Sequence, residues 1–290
     1  MSVVTTVLDG KAIALEVRQQ VTRRADEFRS RFGRAPGLHV VLAGDDPASA
    51  VYVRNKEKAA EECGFAGTVH RLSAAVTQAE LEKLIGELNA DDRVDGILVQ
   101  LPLPKGIDES RILKLVSVAK DVDGFHASNV GALWSNQPGL VPCTPRGCIR
   151  LLEAGGVRIA GARALVIGRS NIVGKPIAAL LLQRDATVTI AHSRTQDLPA
   201  LCREADIVVA AVGRAKLVKG DWVKLGAAVL DVGTNRDENG KACGDVDFAE
   251  ASLRAGVITK VPGGVGPMTI AMLMENTLLA AQARMAQPLP

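Results

Sequence analysis

Short aliphatic runs alternate along this chain with longer stretches in which apolar residues return at helical spacing. Residues 10–33 set Ile13, Leu15, Val17, Val21 and Phe28 among many charges, which predicts an amphipathic helix. A first strand is expected over 38–43, closed by the turn-forming Gly44-Asp45-Asp46-Pro47. A helix then opens near Ser49 and runs to Cys63, where Gly64 stops it. A strand near 68–72 precedes a helix from Thr77 to about Asn89. The next strand, 96–100, ends before Pro102 and Pro104, because proline cannot donate to a sheet ladder. Residues 118–147 lose the periodicity and are rich in Gly, Pro and Asn, so the domain boundary is placed there. Beyond it the alternation resumes. Strands are expected at 164–167, 187–191, 207–212, 229–232 and 257–261, with a helix from about Val173. The last helix, 268–283, is apolar on several faces and has to be buried.

Alternation of this kind gives βαβ units and predicts an α/β protein of two open parallel-sheet domains with a cleft between them. The first would span residues 1–140, with a C-terminal helix over 268–290 packing back on it. The second, 141–267, would be Rossmann-like. Composition agrees: aromatics are only 3% while aliphatic residues abound, as in strands buried on both faces. The net charge of +3 is too small and too dispersed to suggest nucleic acid as a partner. No run approaches the roughly 18 apolar residues of a membrane span, and the first ten residues lack a signal-peptide pattern. Five cysteines without CxxC spacing read as reduced thiols, so a cytoplasmic protein is expected. His39, His70, His126 and His192 are scattered, and no metal site is expected.

The sharpest local signal lies where the strand at 164–167 runs into Gly168-Arg169-Ser170-Asn171-Ile172-Val173-Gly174 and then a helix. Strand, glycine turn and helix in this order are what a dinucleotide site requires. Gly168 would make the tight turn, and Gly174 would let helix and strand approach closely. Ser170 stands where a second glycine is usual, so its hydroxyl could bond a phosphate directly. The helix N-terminus adds unpaired N–H groups and a partial positive charge. About twenty residues on, an NAD site usually carries Asp or Glu. This chain has His192-Ser193-Arg194-Thr195 instead, with no carboxylate to repel a 2′-phosphate. Ser193, Arg194 and Arg169 can all donate to one, which favours NADP. An ordinary βα turn and a solvated loop arginine remain the plain alternatives.

In the first half, Tyr52 and Lys56 are four apart and share one face of a helix. Taken alone, that pair reads as an amphipathic surface feature. Gln100-Leu-Pro-Leu-Pro104 sets a glutamine at the carboxyl end of a strand, where open sheets bind ligands. Lys120-Asp-Val-Asp123-Gly-Phe125 and Pro142-Cys-Thr-Pro145 each read as tight turns, and Pro262-Gly-Gly-Val-Gly-Pro-Met-Thr269 as a glycine loop feeding a helix. Together, in this order and from Asp9-Gly10 to the final helix, these segments closely resemble the methylenetetrahydrofolate dehydrogenase/cyclohydrolase family.

The resemblance implies NADP-dependent oxidation of 5,10-methylenetetrahydrofolate to the methenyl cation, then its hydrolysis to 10-formyltetrahydrofolate, in one shared site. It assigns Lys56 to water attack and proton transfer, Tyr52 to the border of the folate, and Gln100 to positioning Lys56. Asp123 would hold the pterin through its N–H donors, a task that suits an acceptor-only carboxylate. Val99, Leu101, Pro262, Gly263 and Gly264 would complete the substrate site. Val212, Gly213 and Thr234 would join Gly168, Arg169, Ser170, Gly174, Ser193 and Arg194 around the cofactor. Thr234 departs from the aliphatic residue more usual in the family at that place. A homodimer and a polyglutamylated tetrahydrofolate substrate are also implied. Alternatives left open are a dehydrogenase without cyclohydrolase activity, a different NADP dehydrogenase, and a non-catalytic NADP-sensing protein.

Overall fold

The computed structural model describes residues 4–286. Its strands are β1 (Thr6–Leu8), β2 (Gly37–Ala43), β3 (Ala66–Leu72), β4 (Gly96–Val99), β5 (Arg163–Ile167), β6 (Thr187–Ala191), β7 (Ile207–Ala210), β8 (Ala228–Asp231), β9 (Asn235–Arg236), β10 (Ala242–Cys243) and β11 (Val257–Thr259). The helices are α1 (Gly10–Phe32), α2 (Pro47–Glu62), α3 (Gln78–Ala90), α4 (Glu109–Leu115), α5 (Ala127–Trp134), α6 (Cys143–Ala154), α7 (Gly174–Leu182), α8 (Leu198–Glu204), α9 (Phe248–Ala251) and α10 (Val265–Ala286).

Contacts divide the chain into two units: residues up to Ala14 with Thr144–Thr269, and Leu15–Cys143 with the segment from Ile270. The second of these holds a parallel sheet in the order β3-β2-β4. Strands β2 and β4 are buried almost throughout, hence their near-continuous apolar sequences. Leu81, Ile85 and Leu88 of α3 pack on Val41, Ile97 and Val99 to form its core. Thr77 caps α3 with a reciprocal capping box through Glu80. The fully buried Asp95 accepts a two-pronged bond from Arg34 (2.6 and 2.9 Å) and another from Arg284 of α10 (2.8 Å). This binds the returning C-terminal helix to the start of β4.

The other unit is built on a six-stranded sheet in the order β1-β11-β8-β7-β5-β6, parallel at every pair. Because β6 lies on one side of β5 and β7 on the other, the connections diverge at the carboxyl ends of β5 and β7. Such a switch point is the usual ligand crevice of an open α/β sheet.

Several sequence expectations need amendment. The first fourteen residues were assigned to the first domain, yet β1 pairs with β11 and so joins the larger sheet. That strand is too short to carry a readable alternation. Helix α2 starts at Pro47 and not near Ser49, because Asp46 is the N-cap and accepts from the Ser49 N–H at 2.7 Å, with proline at the first helical position. The stretch 118–147, read as irregular, holds α5 and the start of α6. Pro145 is tolerated there because it falls in the first turn of α6, where its missing N–H costs nothing. Helices α4 and α8 went unread for being only two turns long. The final helix begins at Val265, and residues 287–290 of the span expected to return lie outside the described residues. No helix among the described residues is long and apolar enough to cross a membrane.

Candidate active site

Lys56 and Gln100 come together as expected. Lys56 is buried on α2, 8% exposed, and its Nζ donates to Gln100 Oε1 at 3.0 Å. The Gln100 amide is oriented from its other end, where Nε2 donates to the Leu101 carbonyl at 2.7 Å. Its backbone N–H extends the ladder to Val41 at 2.9 Å, so Gln100 and the preceding Val99 stand at the carboxyl edge of the small sheet. Tyr52, one helical turn before Lys56, is 38% exposed and opens that face to solvent.

Asp123 is delivered to the same edge by the turn that carries it. Asp121 bridges Ile97 in parallel register, and the Asp121–Gly124 turn that follows carries Asp123, whose carboxyl feels the Lys56 charge. Three anchors hold the turn. The buried Lys120 ammonium donates to the carbonyls of Leu88, Asn89 and Asp91 at the end of α3, at 3.0, 2.8 and 2.8 Å. Asp121 accepts from the His126 N–H and from Asn129, both at 2.8 Å. Asn276 of α10 donates to the Val122 and Val141 carbonyls, each at 2.8 Å, and the Cys143 thiol also meets Val122 O.

The ionisable groups here are displaced from their ordinary values. Burial pushes the Asp123 carboxyl up to about 6, although the nearby Lys56 charge pulls the other way. With its value about 6, the group is mainly ionised at neutral pH, the form that can act only as an acceptor. Burial lowers Lys120 to about 8, aided by the charge of Arg284. Neither Lys120 nor Asn276 was singled out from the sequence, because their partners lie about 30 and 150 residues away.

The predicted cofactor residues line the carboxyl edge of the large sheet. Gly168 follows β5 with φ +128°, and a Cβ there would stand 2.2 Å from the Ala211 carbonyl after β7. Only glycine can occupy that place. At Gly174 a Cβ would come as close to the Gly168 carbonyl, so this glycine permits the tight strand-to-helix turn. The Ser170 hydroxyl is oriented from the start of α7. Its Oγ accepts from the Val173 and Gly174 N–H groups at 3.1 and 3.2 Å, so the oxygen caps α7 and only its proton remains for a phosphate. Among the described residues none accepts from the backbone N–H groups of Arg169, Ser170, Asn171 or Ile172, all exposed. Unpaired donors before a helix N-terminus fit a pyrophosphate.

After β6, the His192 N–H bonds Thr195 Oγ1 at 2.8 Å and the Arg194 N–H bonds His192 Nδ1 at 3.1 Å. This closed turn presents Ser193 and Arg194 to solvent. Neither Arg194 nor Arg169 has an acidic partner among the described residues. The turn itself carries no carboxylate, and both guanidinium groups are uncommitted, which suits a 2′-phosphate. Val212 and Gly213 follow β7, Thr234 is exposed after β8, and Pro262, Gly263 and Gly264 follow β11 in this same unit. The described residues contain no cluster of three or more His, Cys, Asp or Glu suited to a metal ion.

Comparison with known proteins matches both units. Residues 8–123 fit the catalytic-domain model of tetrahydrofolate dehydrogenase/cyclohydrolase, and 142–285 its NAD(P)-binding-domain model. The bifunctional protein FolD of Acidiphilium cryptum is 62% identical over 278 residues, covering 96% of this chain and 98% of that protein. The crystal structure of the bifunctional enzyme FolD from Campylobacter jejuni is 48% identical, covers 97% of this chain and all of that one, and superposes with a TM-score of 0.94. The Trypanosoma brucei enzyme, solved with NADP cofactor and an inhibitor, is 42% identical with a TM-score of 0.94, covering 98% and 99% of the two chains. With the buried lysine, the glycine turn and both domain models in agreement, this chain belongs to the tetrahydrofolate dehydrogenase/cyclohydrolase family.

Proposed function

We propose that this protein oxidises 5,10-methylenetetrahydrofolate with NADP⁺ and hydrolyses the resulting 5,10-methenyltetrahydrofolate to 10-formyltetrahydrofolate. The observation that carries the reading is the buried Lys56 ammonium held by Gln100, with the Asp123 carboxylate close enough to feel its charge. A dehydrogenase alone has no use for a buried, oriented lysine, whereas a cyclohydrolase needs a group to manage the proton of an attacking water.

Bound at the Gly168–Gly174 turn, NADP⁺ supplies the hydride acceptor. The N–H groups of residues 169–172 would take its pyrophosphate, and Ser193, Arg194 and Arg169 its 2′-phosphate. Asp123 accepts from the pterin, and Tyr52 borders the folate. An uncharged Lys56 amine would take the proton that water releases as its oxygen adds to the methenyl carbon, becoming the ammonium, and Gln100, accepting from Nζ, fixes the lysine's direction. A homodimer and a polyglutamylated substrate belong to the same reading. The exposed outer strand β3 supports the former as an open sheet edge. A cytoplasmic location is supported by five cysteines that are all free.

The test omits the cofactor. Protein mixed with 5,10-methenyltetrahydrofolate should clear its absorbance well above the spontaneous rate in the same buffer. Clearance at the spontaneous rate, by protein shown to be folded, overturns the hydrolase half of the reading.

A further inference from the structure

We infer that Asp245, through a chain of buried hydrogen bonds that begins at Asp231, is the positioning residue that shapes the cofactor loop Val212–Arg214. The inference rests on the reading of this unit as the NADP-binding one.

Asp245 is completely buried, yet no cation neutralises it among the hydrogen bonds and ion pairs it makes. Its Oδ2 accepts from the N–H groups of Val212 (2.6 Å) and Gly213 (3.1 Å), and its Oδ1 from the N–H of Arg214 (2.7 Å). Asn235 Nδ2 adds a fourth donor at 2.9 Å. Three successive N–H groups converging on one anion form a concavity of the kind that usually binds a phosphate. Here the chain fills it with its own carboxylate. The loop's donors thus point inward, and its backbone direction is fixed just past β7, beside Gly168 at the switch point.

Asp245 is itself held. Asp231, at the end of β8, accepts the backbone N–H groups of Asp245 (2.8 Å), Val246 (3.0 Å) and Gly233 (3.0 Å). Two glycines make room for these carboxylates. A Cβ at Gly244 would fall 1.8 Å from Asp231 Oδ2, and one at Gly233 2.3 Å from Asp245 Oδ1. Neither acid faces solvent, so neither can serve as a base toward substrate. Their chemistry is spent on the loop.

An amide at position 245 replaces one accepting oxygen with a donor that confronts an N–H group, so at least one loop donor loses its partner. Asp245→Asn should raise the KM for NADP⁺ about tenfold or more. It should leave the cofactor-free hydrolysis of methenyltetrahydrofolate within about twofold of wild type, because that reaction does not use the loop. Asn235→Ala removes only the side-chain donor and should raise the same KM about threefold, the effect of one ordinary hydrogen bond. Steady-state kinetics of both activities, with melting curves, read these outcomes. An unchanged KM for NADP⁺ in folded Asp245→Asn overturns the inference. So does collapse of both activities with the melting transition in Asp245→Asn when Asn235→Ala keeps the wild-type KM, since the network is then merely structural. A rise in that KM for Asn235→Ala supports it even if Asp245→Asn does not fold. Failure of the wild-type protein to reduce NADP⁺ at all would instead strike the functional reading itself.

Discussion

Replacing Lys56 with methionine is expected to lower methenyltetrahydrofolate hydrolysis by about 10²–10⁴-fold, the usual worth of a positioned acid or base. Dehydrogenase turnover with NADP⁺ should survive to within about tenfold, because the two nitrogens flanking the methylene carbon stabilise the positive charge that develops there. Water addition is different: the attacking oxygen must shed a proton, and Lys56 is the basic side chain that the structure buries and aims through Gln100 Oε1. Methionine fills similar volume without an ammonium, so the fold should tolerate it. Assaying both activities in one preparation checks the split. Equal loss of both in folded protein would show that Lys56 holds the substrate and does not divide the two steps.

Substitution of Asp123 should move activity and stability in opposite directions. The carboxyl stands at about 6 where an ordinary aspartate stands at 3.8, chiefly because burial disfavours its charged form. Folding therefore binds the proton more tightly than the unfolded chain does. The resulting destabilisation is absent below about 3.8, grows between there and 6, and is complete at neutral pH. Asp123→Asn removes it and should stabilise the free protein by about 1–2 kcal/mol, allowing for the group's partial exposure. The same change turns half of an acceptor into a donor facing the pterin's N–H groups. The folate KM should rise about 100-fold or more, as when a site built for hydrogen bonding meets the wrong partner. Urea unfolding and folate titration measure the two effects. In the wild type, folate affinity should weaken as pH falls through 6, where Asp123 gains its proton. A pH-independent KM between 5 and 8, or a destabilised Asn variant, would contradict this role.

Much of this site could be read before any coordinates. Strand–turn–helix order located Gly168 and Gly174, and the carboxyl end of a short aliphatic run located Gln100, because these signals are local, whereas Thr234 was named only through resemblance. Lys56 and Tyr52 were legible as a pair only through helical spacing, and their role only through resemblance. The unread parts depend on partners distant in sequence. Lys120 looked like one charge in a turn, yet it grips three carbonyls at the end of α3. Asp245 sits in an unremarkable Gly-Asp-Val stretch and meets its donors more than thirty residues upstream. Ser170 was assigned to phosphate from its place in the glycine turn, and what went unread is that its oxygen also accepts from the N–H groups that open α7. β1 escaped notice because three residues carry no period, and only its pairing with β11 reveals it.

The most direct measurement mixes the protein with 5,10-methylenetetrahydrofolate and NADP⁺, follows NADPH and methenyl absorbance together, and repeats with NAD⁺. The account predicts NADPH formation with little methenyl build-up, and much slower turnover with NAD⁺, because Ser193, Arg194 and Arg169 await a 2′-phosphate. Methenyl accumulation that clears only at the spontaneous rate, or a preference for NAD⁺, would contradict it.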